Sequence, residues 1–276
     1  MKIYPIRTGS VQIKPAQRER RAGGLVRVLI DPTWTKWLPI FCWVIDHPEG
    51  VIVVDTGETS KTANADYFPR WHPFFQRAVR MQVKPEEEIG PQLAAMGIRP
   101  SDVRTVVLTH FHTDHAGGLH HFADSQILVS EKERKLAEGF LGKVRGYVPQ
   151  HWPSWFAPTP IEFHQDPVGP FERSSKVTRA GDVVVVPTPG HTPAHVSVIV
   201  RTEEVSYFLA GDTSYTEQLL LKRRPDGVSP KPQVTLDTMG RILRYAEETA
   251  TVYLPSHDAE CPERLGRRQL LLRKSA

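Results

Sequence analysis

Short apolar runs punctuate the chain, and nearly all of them stop at a polar or Gly/Pro loop. Leu25–Ile30, Ile40–Ile45, Val51–Val54, Val103–Leu108, Val183–Val186, Val196–Val200, Val205–Ala210 and Thr251–Leu254 are short and rich in β-branched side chains. That pattern predicts buried strands. Asp46–Gly50 is a turn by composition, so the strands on either side of it form a hairpin. Helical spacing appears elsewhere. Pro85–Glu88 places acids where a helix dipole favours them, Ile89, Leu93 and Met96 follow on one face, and Gly97 closes the helix. Ser130-Glu131-Lys132-Glu133 reads as a capping box for a helix reaching about Leu141. Leu119 begins another after Gly117-Gly118, and a last one covers roughly Leu236–Thr249. Two long connections, 58–84 and 142–170, carry Tyr67, Phe68, Trp71, Phe74 and Phe75, and then Tyr147, Trp152, Trp155, Phe156 and Phe163. Loops this long and aromatic serve a pocket, an interface or a cap on the core. The second divides a single domain, 1–276, into similar halves of about 1–145 and 170–276.

The residues that follow the apolar runs are the chemically interesting ones. His110, His112, Asp114 and His115 fall within six residues, directly after Val103–Leu108. In an extended chain 110, 112 and 114 point to one side, and His115 joins them if the chain turns. His191 follows Val183–Val186, Asp212 follows Val205–Ala210, and His257 follows Thr251–Leu254. Donors at successive strand ends converge in space although they are far apart in sequence. Imidazoles and carboxylates suit zinc, and also iron, manganese or cobalt. The bland alternative is a histidine-rich surface loop. Asp55, at the end of Val51–Val54, either orients a ligand histidine through its second ring nitrogen or caps a turn. His151 and His164 read as polar loop residues.

Composition narrows the setting. At 276 residues and 39% hydrophobic, the chain is long enough for a substantial core. Twenty-four prolines predict stiffened loops, and two distant cysteines, Cys42 and Cys261, point to a reducing, cytoplasmic compartment. The N-terminus lacks an apolar leader, and no run approaches a membrane span. The net charge of +4 permits nucleic-acid binding, but the one basic cluster, Arg264, Arg267, Arg268, Arg273 and Lys274, reads as a solvated helix end or tail. No Gly-x-Ser-x-Gly motif supplies a serine nucleophile.

His-x-His-x-Asp-His with a trailing Gly-Gly resembles the signature of the metallo-β-lactamase superfamily. The segment Ile45–Gly57 closely resembles that of N-acyl-homoserine lactonases, and the likeness is strongest at 43–57, 105–118, 188–197 and 210–216. The resemblance implies an α/β fold, an αβ/βα four-layer sandwich of two mixed β-sheets with helices on the outer faces. It implies two divalent metal ions, zinc foremost. His110, His112 and His191 would hold the first, Asp114, His115 and His257 the second, with Asp212 bridging. His195 is not a ligand in the family pattern. Tyr215, three residues after Asp212, matches the lactonase tyrosine and would donate to the substrate carbonyl, while Asp114 would carry the proton to the leaving oxygen. Ser256 and Ala194 stand where glycines are frequent. The implied reaction is lactone opening by a metal-bridging hydroxide, on a small-molecule lactone or ester, with no nucleic-acid or membrane partner. Both a monomer and a homodimer are compatible. The alternative is an organophosphate triester or aryl-ester hydrolase, or a thioesterase, with the same dinuclear site. A nuclease would need a basic exosite, and a flavodiiron protein a glutamate in place of His112.

Overall fold

The computed structural model describes residues 1–272, with Leu141 described by its backbone alone. Twelve strands form two sheets. The first sheet holds β1 (Lys2–Ile13), β2 (Leu38–Asp46), β3 (Val51–Val54), β4 (Val79–Gln82), β5 (Val103–Val107), β6 (Gln126–Val129) and β7 (Thr159–Pro160), in the order β4-β1-β2-β3-β5-β6-β7. The second holds β8 (Ser175–Lys176), β9 (Val183–Pro187), β10 (Val196–Arg201), β11 (Ser206–Gly211) and β12 (Thr251–Pro255), in the order β12-β11-β10-β9-β8. Both sheets are mixed. In the first, β3, β5, β6 and β7 run parallel and the rest antiparallel. In the second, only β11 and β12 are parallel.

Continuous apolar strands have a use on both faces here. Trp43, Ile45, Val54 and Val107 of the first sheet pack against Val183, Val185, Val198 and Leu254 of the second, between the sheets. The alternate residues face outward onto helices. Val44, Val53 and Val106 meet Ile89 and Leu93, and Val184, Val186, Ile199 and Phe208 meet Met239, Ile242 and Tyr245 of the helix Pro232–Glu248. Each such side chain, once buried, contributes about 1.5–3 kcal/mol. The result is a four-layer α/β sandwich. Short edge strands, two residues each in β7 and β8, leave little unpaired backbone exposed.

Several elements differ from the sequence expectation. Leu25–Ile30 is not a strand but part of a short helix, Gly24–Ile30. β-branched residues favour strands because they fit a pleated, half-buried surface, and no sheet offers one here. Gly23 and Gly24 take φ of 94° and 53°, turning the chain into the helix, and Leu25, Val26 and Ile30 remain 50–65% exposed. The connection 58–84 contains β4, and β1 precedes every strand that the hydrophobic pattern marks. After β5 the helix starts at Thr113 rather than Leu119, so His115 lies within it, and Gly117–His121 is a 3₁₀ turn. The helix after Ser130 breaks at Gly139 into Glu131–Glu138 and Phe140–Val144. Ser130 caps it, but the Glu133 side chain does not reach back to complete a box. The basic cluster is not wholly solvated. Arg264 is 1% exposed, pairing with Glu217 at 2.9 Å and Asp258 at 3.0 Å. Arg273 and Lys274 lie outside the described residues. Among the described residues no helix is long and apolar enough to cross a membrane.

Candidate metal centre

β3 and β5 are parallel neighbours, so the loops after both open at the same end of the sheet. Asp55, just past β3, adopts φ of 61°, and its carboxylate faces the loop after β5. Its Oδ1 accepts from the Thr109 amide (2.8 Å). Its Oδ2 accepts from the Thr109 hydroxyl (2.9 Å) and from His115 Nδ1 (2.8 Å). Both readings of Asp55, turn cap and histidine orienter, therefore hold. A carboxylate only accepts, so His115 Nδ1 carries a hydrogen and its Nε2 is turned toward Asp212.

The same logic applies around the centre. His110 Nδ1 lies 3.1 Å from the Thr109 hydroxyl, whose own proton goes to Asp55. His191 Nδ1 donates to Asp226 Oδ2 at 3.1 Å. His257 Nδ1 donates to the Pro39 carbonyl at 2.9 Å. Four rings thus keep an Nδ1 hydrogen facing outward and turn Nε2 toward the same spot. His110 Nε2 and His191 Nε2 each lie 3.0 Å from His112 Nδ1. Three ring nitrogens thus converge, an arrangement that suits a metal ion held by all three. On the other side, His257 Nε2 lies 3.4 Å from Asp114 Oδ2, and His115 Nε2 lies 4.0 Å from Asp114 Oδ1. Asp212 touches both groups. Its Oδ1 is 3.3 Å from His115 and 3.4 Å from His257, and its Oδ2 is 3.4 Å from His191. His115 Nε2 and Asp212 Oδ1 are buried without a hydrogen-bond partner, as atoms reserved for metal would be.

Electrostatics point the same way. Burial, reinforced by the neighbouring histidines, pushes His110 and His112 well below the usual histidine range, which keeps them neutral. Burial opposes ionisation of Asp212, but the charges of His257, His115 and His191 outweigh it and hold the carboxyl well below its ordinary value. Burial pushes His115, His191 and His257 down, but Asp212 and the carboxylates behind them raise all three above the usual range. A divalent ion such as zinc would therefore bind by displacing those protons.

All seven predicted donors meet here, in three overlapping groups of possible ligands. His195 stands apart from them. Its Nε2 accepts from the Asp212 amide (3.1 Å) and its Nδ1 pairs with the Thr188 hydroxyl (2.9 Å), so it shapes the loop and offers no free nitrogen. His151 donates to the Tyr67 carbonyl (2.7 Å) and stacks on its ring. Tyr215 is buried, stacks on His257, and its phenol oxygen accepts from Gln17 Nε2 at 3.1 Å. Burial and the nearby Asp212 charge keep that phenol protonated, well above its usual range.

Sequence reasoning missed three partners. Asp226 looks like an ordinary turn residue, and it does cap one, accepting from the amides of Val228 and Ser229. Gln17 lies in a stretch with no motif. Glu133 accepts from the Tyr147 hydroxyl (2.6 Å) and the Ala194 amide (3.2 Å), so it bridges the Tyr147 ring, beside His112, to the loop after His191. Only the Asp-Gly turn at 226–227 gave a local signal, and it was one for a turn.

His112, Asp114, His191, Asp212 and His257 floor a cavity of about 640 Å³, with His110 and His115 buried behind them. Trp71, Phe74 and Phe75 of the first aromatic connection form one wall, joined by Val11, Ile13 and Leu29. His72 donates to the Val144 carbonyl at 2.9 Å, tying this wall to the segment 144–147 opposite. The second connection contributes less than its composition suggests. Of its aromatic residues only Tyr147 reaches the cavity, while Trp152 and Phe156 pack on Phe111.

A family model described as the metallo-beta-lactamase superfamily matches residues 35–257. An N-acyl homoserine lactonase from a Bacillus species is 30% identical over 230 residues, spanning 81% of this chain and 82% of the relative. A solved N-acyl homoserine lactone hydrolase, with the product N-hexanoyl-L-homoserine at its catalytic metal centre, matches with a TM-score of 0.76 at 24% identity over 95% of both chains. AidC, a dizinc quorum-quenching lactonase, matches with a TM-score of 0.65 at 13% identity over 93% of this chain and 87% of its own.

Proposed function

The chain belongs to the metallo-beta-lactamase superfamily, and from that membership we propose that it opens the ring of N-acyl homoserine lactones. By family and by relatives it is a metal-dependent hydrolase. The single observation that carries the lactone reading is the pairing of the seven-donor cluster with a buried, hydrogen-bonded Tyr215 at its edge. In this reading His110, His112 and His191 would hold one divalent ion, Asp114, His115 and His257 the other, with Asp212 available to both. Bound there, the ions would supply a water ionised near neutral pH and a Lewis acid for the ester carbonyl.

The protein's own groups do the rest. Gln17 Nε2 donates to the Tyr215 oxygen, which leaves the phenol hydrogen free for the lactone carbonyl oxygen as negative charge develops there. Addition of the water-derived oxygen to the carbonyl carbon would break the ring C–O bond and leave that oxygen's remaining proton to Asp114. Asp114, only 13% exposed at its side chain and facing the cavity, passes a proton to the departing alkoxide. The apolar wall receives the acyl chain and keeps bulk water from the floor.

The aromatic wall also suits aryl leaving groups. That favours a second reading, an organophosphate triester or aryl-ester hydrolase, or a thioesterase, on the same floor. The test is turnover of a lactone series beside a paraoxon-type triester, an aryl ester and a thioester, with bound metal counted. Lactone preference by orders of magnitude supports the first reading. Tyr215→Phe should then lower lactone kcat by about 10²-fold with metal retained. Triester turnover above lactone turnover would transfer the assignment to the second.

A further inference from the structure

Five residues beyond His115, the 3₁₀ turn Gly117–His121 carries two more histidines, and neither serves the central floor. His121 Nε2 lies 2.9 Å and His120 Nε2 3.2 Å from one oxygen, Oε2 of Glu88. Glu88 is the residue just before the helix Ile89–Ala95, and its side chain is 9% exposed. Its other oxygen is fully engaged, accepting from the Ser60 amide (2.8 Å), the Ser60 hydroxyl (2.6 Å) and the Thr59 hydroxyl (3.1 Å). Oε2 accepts from His121 Nε2 and faces His120 Nε2, and an ion bound here would take the place of the His121 proton.

The tautomers decide what belongs there. His120 Nδ1 lies 3.2 Å from the Gly117 carbonyl, which only accepts, so Nδ1 bears the hydrogen. Nε2 of the neutral ring is then a lone pair facing a carboxylate lone pair. A proton or a cation must lie between them. Burial and the adjacent His121 push His120 below the usual histidine range. Burial works against ionisation of Glu88, but the Ser60, His121 and Thr59 hydrogen bonds overcome it and hold the carboxyl at about 2. The three donor atoms lie within 4.8 Å of one another. The two rings are 34% and 20% exposed, so an ion has access from solvent. Gly90 makes the approach possible, because a Cβ there would meet His121 Nδ1 at 2.4 Å.

We propose that Glu88, His120 and His121 form a further divalent-metal site, of the two-imidazole, one-carboxylate class that zinc takes with water completing its shell. It is separate from the catalytic pair. Its ion clamps the 3₁₀ turn behind the metal loop to the start of the helix Ile89–Ala95, and Glu88 carries that clamp on to Thr59 and Ser60.

The test is equilibrium dialysis of the metal-loaded protein against buffered low-micromolar free zinc, with metal counted per chain. Wild type should hold one equivalent more than His120→Gln, His121→Gln and Gly90→Ala, all three retaining the central pair. His164→Gln serves as the control and should match wild type. Gly90→Ala removes no donor, so its loss reports geometry and not ligand chemistry. Cobalt loading gives a second readout, an increment of visible absorption above that of the central pair, present in wild type and missing from the three variants. Wild type binding no more zinc than the variants overturns the proposal. So does an extra equivalent that persists in both histidine variants, or one that disappears in His164→Gln.

Discussion

Asp55, Thr109, Asp226 and the Pro39 carbonyl come from four separate segments, and each fixes one histidine at the cavity floor or just behind it through the nitrogen that faces away from the centre. The wall above is held differently. Trp71, Phe74 and Phe75 meet the cavity through ring contacts, such as the 4.4 Å stack of Phe75 on Phe68, and Trp71 stays 64% exposed. Directional hydrogen bonds tolerate little displacement, whereas apolar contacts tolerate exchange of one side chain for another of similar volume. Chemistry and selectivity therefore sit on regions with unequal tolerance.

Three substitutions probe that inequality. Asp212→Asn strikes the carboxylate shared by both halves of the floor. It should abolish bound-metal stoichiometry and lower turnover by more than the roughly 10–100-fold typical of groups standing behind a ligand. Asp226→Asn leaves every donor in place but weakens the hold on His191. Metal affinity, measured by chelator competition, should fall about 10–100-fold, and an unchanged affinity would erase the distinction between floor and wall. Trp71→Ala should keep metal content and kcat for short acyl lactones, and raise KM for long ones by roughly fivefold to tenfold. A loss of metal in that variant would show that the wall supports the floor after all.

The smallest effect concerns Glu88, whose carboxyl is held at about 2 against an ordinary 4.5. A group lowered on folding adds stability above its unfolded pKa, and that contribution is lost as pH falls from about 4.5 toward 2. In chelator-treated protein, Glu88→Gln should flatten the fall of the thermal midpoint across that window. An unaltered acid limb would place the sensitivity in other carboxylates.

Much of the floor was legible in the sequence because His110 to His115, His191, Asp212 and His257 each follow an apolar strand, and strand ends on one side of a sandwich must meet. The partners behind them were not. Gln17 reaches Tyr215, and Asp226 reaches His191, only through tertiary proximity that no local spacing encodes. β1 escaped notice because Pro5, Gly9 and the polar run Arg7–Ser10 interrupt its alternation, and the register with β2 shifts between Arg7 and Ser10. The helix Gly24–Ile30 was misread because β-branched composition speaks for a strand only where a sheet is available to receive it. Arg264 passed for a tail residue because its burial depends on Glu217 and Asp258, which the fold brings to it.

The helix Gly24–Ile30 and the segment 71–79 contribute to the cavity from outside the packing between the two sheets. Leu25 and Trp71 line the cavity while 50% and 64% exposed, so their replacement costs little core packing, whereas Val28, Phe75, Ala78 and Val79 beside them are buried. A lineage carrying this scaffold thus has exposed rim positions open to change while the metal donors stay fixed.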